Sequence, residues 1–148
     1  MDNVVLDQKR ISEILPQDYP FIMIDRVIEF EKDKSLVAIK NITGNEWVFE
    51  GQADKADIFP ETLIIEAASQ AALVFYSVNS TNAKGQILSR IRLGGIKSEF
   101  LQTVYIGDQL RFTTRDFKIL KEKGYINVDV SRDGEDISRV KVFYGLSD

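Results

Sequence analysis

The 148 residues predict an α+β domain in which one apolar helix is wrapped by a curved antiparallel sheet of about six strands. Two observations carry that prediction. The helical stretch of about Thr62 to Val78 is apolar nearly all round, and such a helix lies inside a core rather than on it. From Gln86 onward the chain reads almost wholly as strands with short connections, which can cover the helix only by curling around it. The length is one domain's worth, 1–148, with no internal repeat, low-complexity tract or linker.

In chain order, Asp7 to Leu15 makes a short helix with Ile11, Ile14 and Leu15 as its apolar side, and Pro16 ends it. After Tyr19-Pro20-Phe21, the branched and aromatic residues of Phe21 to Glu31 and then Leu36 to Ile42 predict two strands joined by the charged turn Glu31-Lys32-Asp33-Lys34. Residues 44 to 61, with Gly44, Gly51 and Pro60, form a loop leading to the central helix, about Thr62 to Val78. Ser80-Thr81-Asn82 and Gly85 end that helix. Ile87 to Phe100 is a strand bent or bulged at Gly94-Gly95. Leu110, Phe112 and Thr114 alternate with Arg111, Thr113 and Arg115, and Ile126, Val128 and Val130 alternate with Asn127, Asp129 and Ser131, so each set marks an inward strand face. Asp133-Gly134 is a hairpin turn into a last strand, Ile137 to Tyr144. A single sheet of this size leaves edge strands bare, and pairing with a second subunit's sheet would cover them.

The composition, 44% hydrophobic and 28% charged, is that of an ordinary globular domain, and the net charge of -4 argues against a nucleic-acid partner. With no cysteine and no histidine, disulfides, thiol catalysis and zinc sites built from nitrogen and sulfur are excluded, and neither metal nor cofactor is expected. Met1 to Arg10 lacks a signal pattern, and the longest apolar stretch is interrupted by Glu66, Ser69 and Gln70. A cytoplasmic protein that does not span a membrane is the expectation.

Glu66 stands out within the apolar helix, because a carboxylate buried among Leu63, Ile64, Ile65, Ala67 and Ala68 carries a desolvation cost. It reads either as a functional group or as a structural carboxylate satisfied by N–H groups. Without histidine, acid–base chemistry has to run on carboxylates, lysine or tyrosine. Ser69 and Gln70 lie three and four residues further and share its helical face, either as substrate contacts or as hydrogen-bonding groups of the core. Arg90, Arg92 and Lys97 form either a solvated strand face or a patch for an acidic partner. The aromatics Phe49, Phe59, Phe75 and Tyr76 are most simply core.

Five segments, Tyr19-Pro20-Phe21-Ile22-Met23-Ile24-Asp25-Arg26, Gly51, Pro60, Leu63-Ile64-Ile65-Glu66-Ala67-Ala68-Ser69-Gln70 and Gly107-Asp108-Gln109-Leu110, occur in the order and spacing of the FabZ-type 3-hydroxyacyl-[acyl-carrier-protein] dehydratases. The chain resembles that family over about residues 10 to 145. The resemblance implies the hot-dog fold and a dimer with its active site at the subunit interface. It leaves a homodimer, a trimer of such dimers and a heterodimer with a homologue open, and implies an acyl carrier protein or coenzyme A thioester as partner.

In the family, a histidine after a loop glycine removes the proton α to the thioester, and a glutamate on the helix of the other subunit helps the β-hydroxyl leave. By position Glu66 matches that glutamate and Gly51 that glycine, while the histidine position holds Gln52. The family's glycine after Pro60 is Glu61, whose side chain adds bulk and negative charge where an enolate would develop. Ala53-Asp54 and Asp57 are further departures. Because an amide cannot take up a proton at physiological pH, Gln52 is either a neutral loop residue or one that orients water or a carbonyl. Three functions follow: an acyl-thioester-binding protein with dehydration weak or lost, a thioesterase using Glu66, or a non-catalytic subunit paired with an active homologue.

Overall fold

The computed structural model describes residues 5–50, 57–79, 91–120 and 122–146. Gly51, Gln52, Ala53-Asp54, Ser80-Thr81-Asn82, Gly85, Ile87 and Arg90 lie outside them.

Helix α1 (Gln8–Ile14) is capped by Asp7, whose carboxylate accepts the Arg10 N–H at 2.9 Å, and it closes at Leu15 ahead of Pro16. It sends Ile11 wholly into the core. Strands β1 (Arg26–Glu31) and β2 (Ser35–Asn41) form the expected hairpin, with Asp33 in the left-handed region at φ +62. Helix α2 (Glu61–Asn79) reaches that turn, where the Asn79 side chain accepts the Asp33 N–H and donates to its carboxylate. β1 begins five residues later than the Phe21 start expected from residue types. Between Phe21 and Met23 the backbone bonds to the side chain of Gln70 on α2, so this segment follows the helix before joining the sheet.

Strands β3 (Ile91–Phe100), β4 (Gln109–Ile119), β5 (Lys123–Arg132) and β6 (Glu135–Leu146) complete a six-stranded antiparallel sheet in the order β1-β2-β4-β5-β6-β3. The register of β3 slips between Leu93 and Gly95, which is the bulge that the paired glycines announced. Asp133 and Gly134 both take positive φ, 51° and 81°, as a tight primed turn between β5 and β6 requires.

Leu36, Ala38, Leu110, Phe112, Ile126, Val128, Val130, Val140 and Val142 form the sheet's inner face, and α2 lies along it. Ala67, Ala68, Ala71 and Ala72 are fully buried, and their small side chains let the sheet approach the helix closely. Phe59, Phe75 and Tyr76 are buried and Phe49 is partly so, placing all four aromatics in or against the core. Phe75 meets Phe117 edge-on at 4.8 Å. The start of α2 is fixed from outside the helix: Phe59 donates to the Val104 carbonyl at 2.8 Å, Ile106 donates to the Asp57 carbonyl at 3.0 Å, and Pro60 then opens the first turn.

The two sheet edges differ. Along β1 the N-terminal segment adds cover, with Val27 bonded to Leu6 in both directions. β3 is the other edge and has no outer partner strand among the described residues, and its Leu93 is 59% exposed. No described helix is long and apolar enough to cross a membrane.

Candidate functional site

Glu66 lies in the second turn of α2 and is half-buried, which corrects the expectation of a fully buried carboxylate. Its sequence neighbours are apolar, but they surround the helix, while Glu66 itself faces a gap between α2 and the segment after α1. Two side-chain amides hold it there. Gln70 Nε2 donates to Glu66 Oε1 at 2.9 Å and Gln17 Nε2 donates to the same oxygen at 3.3 Å. Oε2 takes no hydrogen bond among the described residues.

Gln70 is fully buried and committed to the protein. Its Oε1 accepts the Met23 N–H at 2.7 Å and its Nε2 donates to the Phe21 carbonyl at 2.6 Å. The side chain therefore clamps the Tyr19–Met23 segment to the helix and orients Glu66, rather than facing either pocket beside it. Gln17 was not singled out in the sequence, where it follows Pro16 in a loop without periodicity. Its partner lies 49 residues away, and only the folded chain joins them.

Glu66 and Gln17 line two pockets. One, of about 490 Å³, is completed by Asp18, Phe21, Thr62 and Leu63, so it opens at the N-terminal turn of α2. The other, of about 170 Å³, continues past Ser69 and Leu73 to Ile91 and Leu93 of the edge strand and Val142 of β6. Ser69 is buried in its wall. Glu61 is the first residue of α2, is exposed and does not line either pocket; Thr62 and Leu63 take the rim position instead. Tyr144 borders the smaller pocket. Burial, and then the neighbouring Tyr76, raise its phenol well above the ordinary range, so the hydroxyl is neutral; it is buried and has no hydrogen-bond partner among the described residues.

The cations sit elsewhere. Arg92 and Lys97 pair with Gly145 and Lys141 across β3 and β6, which sets them on the sheet's outer face, away from α2. There Lys97 Nζ stands 6.0 Å from the Phe143 ring centroid, and Lys141 Nζ stands 5.2 Å from Phe143 and 4.1 Å from Tyr125. The structure does not bring this face together with Glu66.

A long helix wrapped by a six-stranded antiparallel sheet, with a carboxylate of that helix between two pockets, defines a hot-dog protein. The chain matches the FabA-like domain over residues 15–141 and belongs to that family. It is 35% identical over 147 residues to the 3-hydroxyacyl-[acyl-carrier-protein] dehydratase FabZ of Listeria welshimeri, covering 97% of this chain and 98% of that relative. The FabZ of Cupriavidus taiwanensis is 32% identical over 149 residues, covering 100% of this chain and 89% of the relative.

Solved structures give the same fold at lower identity. The dehydratase heterocomplex ApeI:P from Xenorhabdus doucetiae superimposes with a TM-score of 0.77 at 15% identity, covering 93% of this chain and 91% of that one. A mutant of the thioesterase PA1618 from Pseudomonas aeruginosa gives 0.70 at 10% identity, covering 99% and 97%.

Proposed function

We propose that the protein binds acyl thioesters, carried on an acyl carrier protein or on coenzyme A, in fatty-acid or polyketide-type metabolism, with conventional 3-hydroxyacyl dehydration weak or lost. The observation that carries this is Glu66, held by two amides between two pockets in a family whose other reactive residue, by position, is Gln52 here. General-base catalysis is typically worth ~10²- to 10⁴-fold, and an amide cannot supply it. The thioester binds at the larger pocket, beside the first turn of α2, with its chain directed past Glu66. Isothermal titration with 3-hydroxyacyl-pantetheine thioesters is expected to show binding, with little enoyl product on incubation. Rapid enoyl formation overturns the loss of dehydration.

A second reading, thioester hydrolysis, is supported by the open Glu66 Oε2 and by the likeness to a thioesterase structure. Here Glu66 attacks the carbonyl or takes a proton from water, needs no histidine, and releases the thiol. Glu66→Gln is then expected to lower thiol release from a panel of acyl thioesters by ~10²-fold or more. Equal rates from wild type and variant eliminate hydrolysis by Glu66.

A third reading is a non-catalytic subunit whose partner supplies the missing histidine. The open edge of β3 and the likeness to a heterocomplex support it. Co-expression with a histidine-bearing homologue from the same host is expected to give a mixed dimer with dehydratase activity; homodimers that never exchange subunits count against it.

The outer-face lysines support a docking role for an acidic carrier, with Lys97 of the Arg90, Arg92 and Lys97 set standing beside Lys141. Reversing both charges, Lys97→Glu with Lys141→Glu, is expected to weaken acyl-carrier binding about 10-fold at low salt while pantetheine thioesters bind as before. Unchanged carrier affinity removes this face from the docking surface.

A further inference from the structure

The smaller pocket is not the plain hydrocarbon slot that a saturated chain would fill. Leu73, Ile91, Leu93 and Val142 give it apolar walls, yet three polar atoms of its lining residues are buried and lack a hydrogen-bond partner among the described residues, Ser69 Oγ, Gln17 Oε1 and the Tyr144 hydroxyl. Ser69 is 8% exposed, and its hydroxyl has found no carbonyl in the preceding helical turn. Buried polar groups are normally paired, so an unpaired hydroxyl in a pocket wall points to a group that arrives with the ligand. The pocket volume of about 170 Å³ is below the ~300–1,000 Å³ of sites that enclose a whole small molecule, so it takes a short segment of a longer ligand.

We infer that the acyl chain bound beside Glu66 carries an oxygen function, a hydroxyl or a carbonyl, that hydrogen-bonds to Ser69. This rests on the acyl-thioester reading of the Glu66 site and narrows its substrate class. The position of the oxygen follows from the helix. Ser69 lies three residues beyond Glu66, a rise of about 4.5 Å along α2. That distance spans roughly four carbon–carbon bonds of about 1.5 Å in an extended zigzag chain. With the carbon that would bear the leaving hydroxyl, the third, facing Glu66, the oxygen sits at the sixth or seventh carbon. Ser69 is thus a specificity-determining residue. It donates to a carbonyl or exchanges hydrogen bonds with a hydroxyl, while Gln17 Oε1 is a further unpaired acceptor, and the Tyr144 hydroxyl a further unpaired polar group, of the same lining.

The test is calorimetric titration of the whole chain with octanoyl-pantetheine and its 5-, 6- and 7-hydroxy isomers, for wild type, Ser69→Ala and Ser69→Thr. Wild type is expected to bind the 6- or 7-hydroxy isomer about 10-fold more tightly than octanoyl-pantetheine, the effect of one hydrogen bond to an otherwise unpaired buried group. In Ser69→Ala the preference falls to within about twofold, with octanoyl-pantetheine bound at least as well as by wild type, and Ser69→Thr restores the preference for the hydroxylated chain. Equal binding of all four thioesters by wild type, or a preference that survives in Ser69→Ala, overturns the inference while leaving the thioester site standing. If wild type binds none of the four, both fall together.

Discussion

Gln70→Leu is expected to lower the stability of the fold by about 1–4 kcal/mol, because it strands a buried backbone N–H and a partly buried carbonyl at once. The Met23 N–H loses the acceptor it meets at 2.7 Å, and the Phe21 carbonyl loses the donor it meets at 2.6 Å. The orphaned buried N–H costs about 1–3 kcal/mol and the partly buried carbonyl less, since water can reach it, and leucine's apolar surface offsets only part of that. Against the ~5–15 kcal/mol that holds a typical domain together, the loss is large. The urea midpoint is expected to drop at an unchanged slope, the mark of lost stability rather than a changed unfolded state. An unfolding free energy within about 0.5 kcal/mol of wild type would show that the Tyr19–Met23 segment is held by something else.

The same substitution has a second readout, since Gln70 also donates to Glu66. Under conditions where the variant is still folded, Glu66 keeps only the longer 3.3 Å bond from Gln17, and acyl-thioester affinity is expected to fall further than the folded fraction does. Gln70→Glu separates the two effects. It retains an acceptor for Met23 but removes the donor to Phe21 and sets a second carboxylate beside Glu66, so it should disturb the site more than the segment.

Most of the fold was legible in the sequence because its signals are local. The alternation through Leu110, Phe112 and Thr114 names the inward face of β4, and all three are fully buried. Asp133-Gly134 and Gly94-Gly95 identified a turn and a bulge by conformational need alone. Lys40 shows where such reading stops. It lies in the stretch read simply as a strand, points inward, is 4% exposed, and places its Nζ over the Phe59 ring while pairing with Glu46. Residue type marks lysine as a surface group, and only a carboxylate supplied by the following loop makes its burial tolerable.

The site was half legible for the same reason. Glu66 was conspicuous by chemistry, and Gln70 by its helical spacing from it. Gln17, Thr62 and the walls of the smaller pocket come from segments that meet only after the chain closes, and no periodicity reports such meetings. The exposure of Glu66 was misjudged because apolar neighbours in sequence encircle a helix without covering each of its sides.

The largest functional effect is expected from Gln52→His. If the amide at this position is what silences dehydration, an imidazole there restores a group that takes up a proton near neutral pH, and enoyl formation from a 3-hydroxyacyl thioester should rise by ~10²-fold or more. The pH profile checks the cause as well as the size. The gained rate should be lost as pH falls through the imidazole's range near ~6.5, since protonated histidine has no lone pair with which to act as a base. Glu66→Gln in the same background should remove most of the gain, because the leaving hydroxyl then has no carboxyl group to protonate it. Glu61 tests the other departure. If its carboxylate, at the first residue of α2, disfavours an enolate developing near the helix N-terminus, Gln52→His with Glu61→Gly should exceed Gln52→His alone. A gain in the double variant only would assign the loss chiefly to Glu61. No gain in either, with thioester binding intact, would mean that the site's alignment is set for hydrolysis or for a partner's histidine and not for dehydration by this chain.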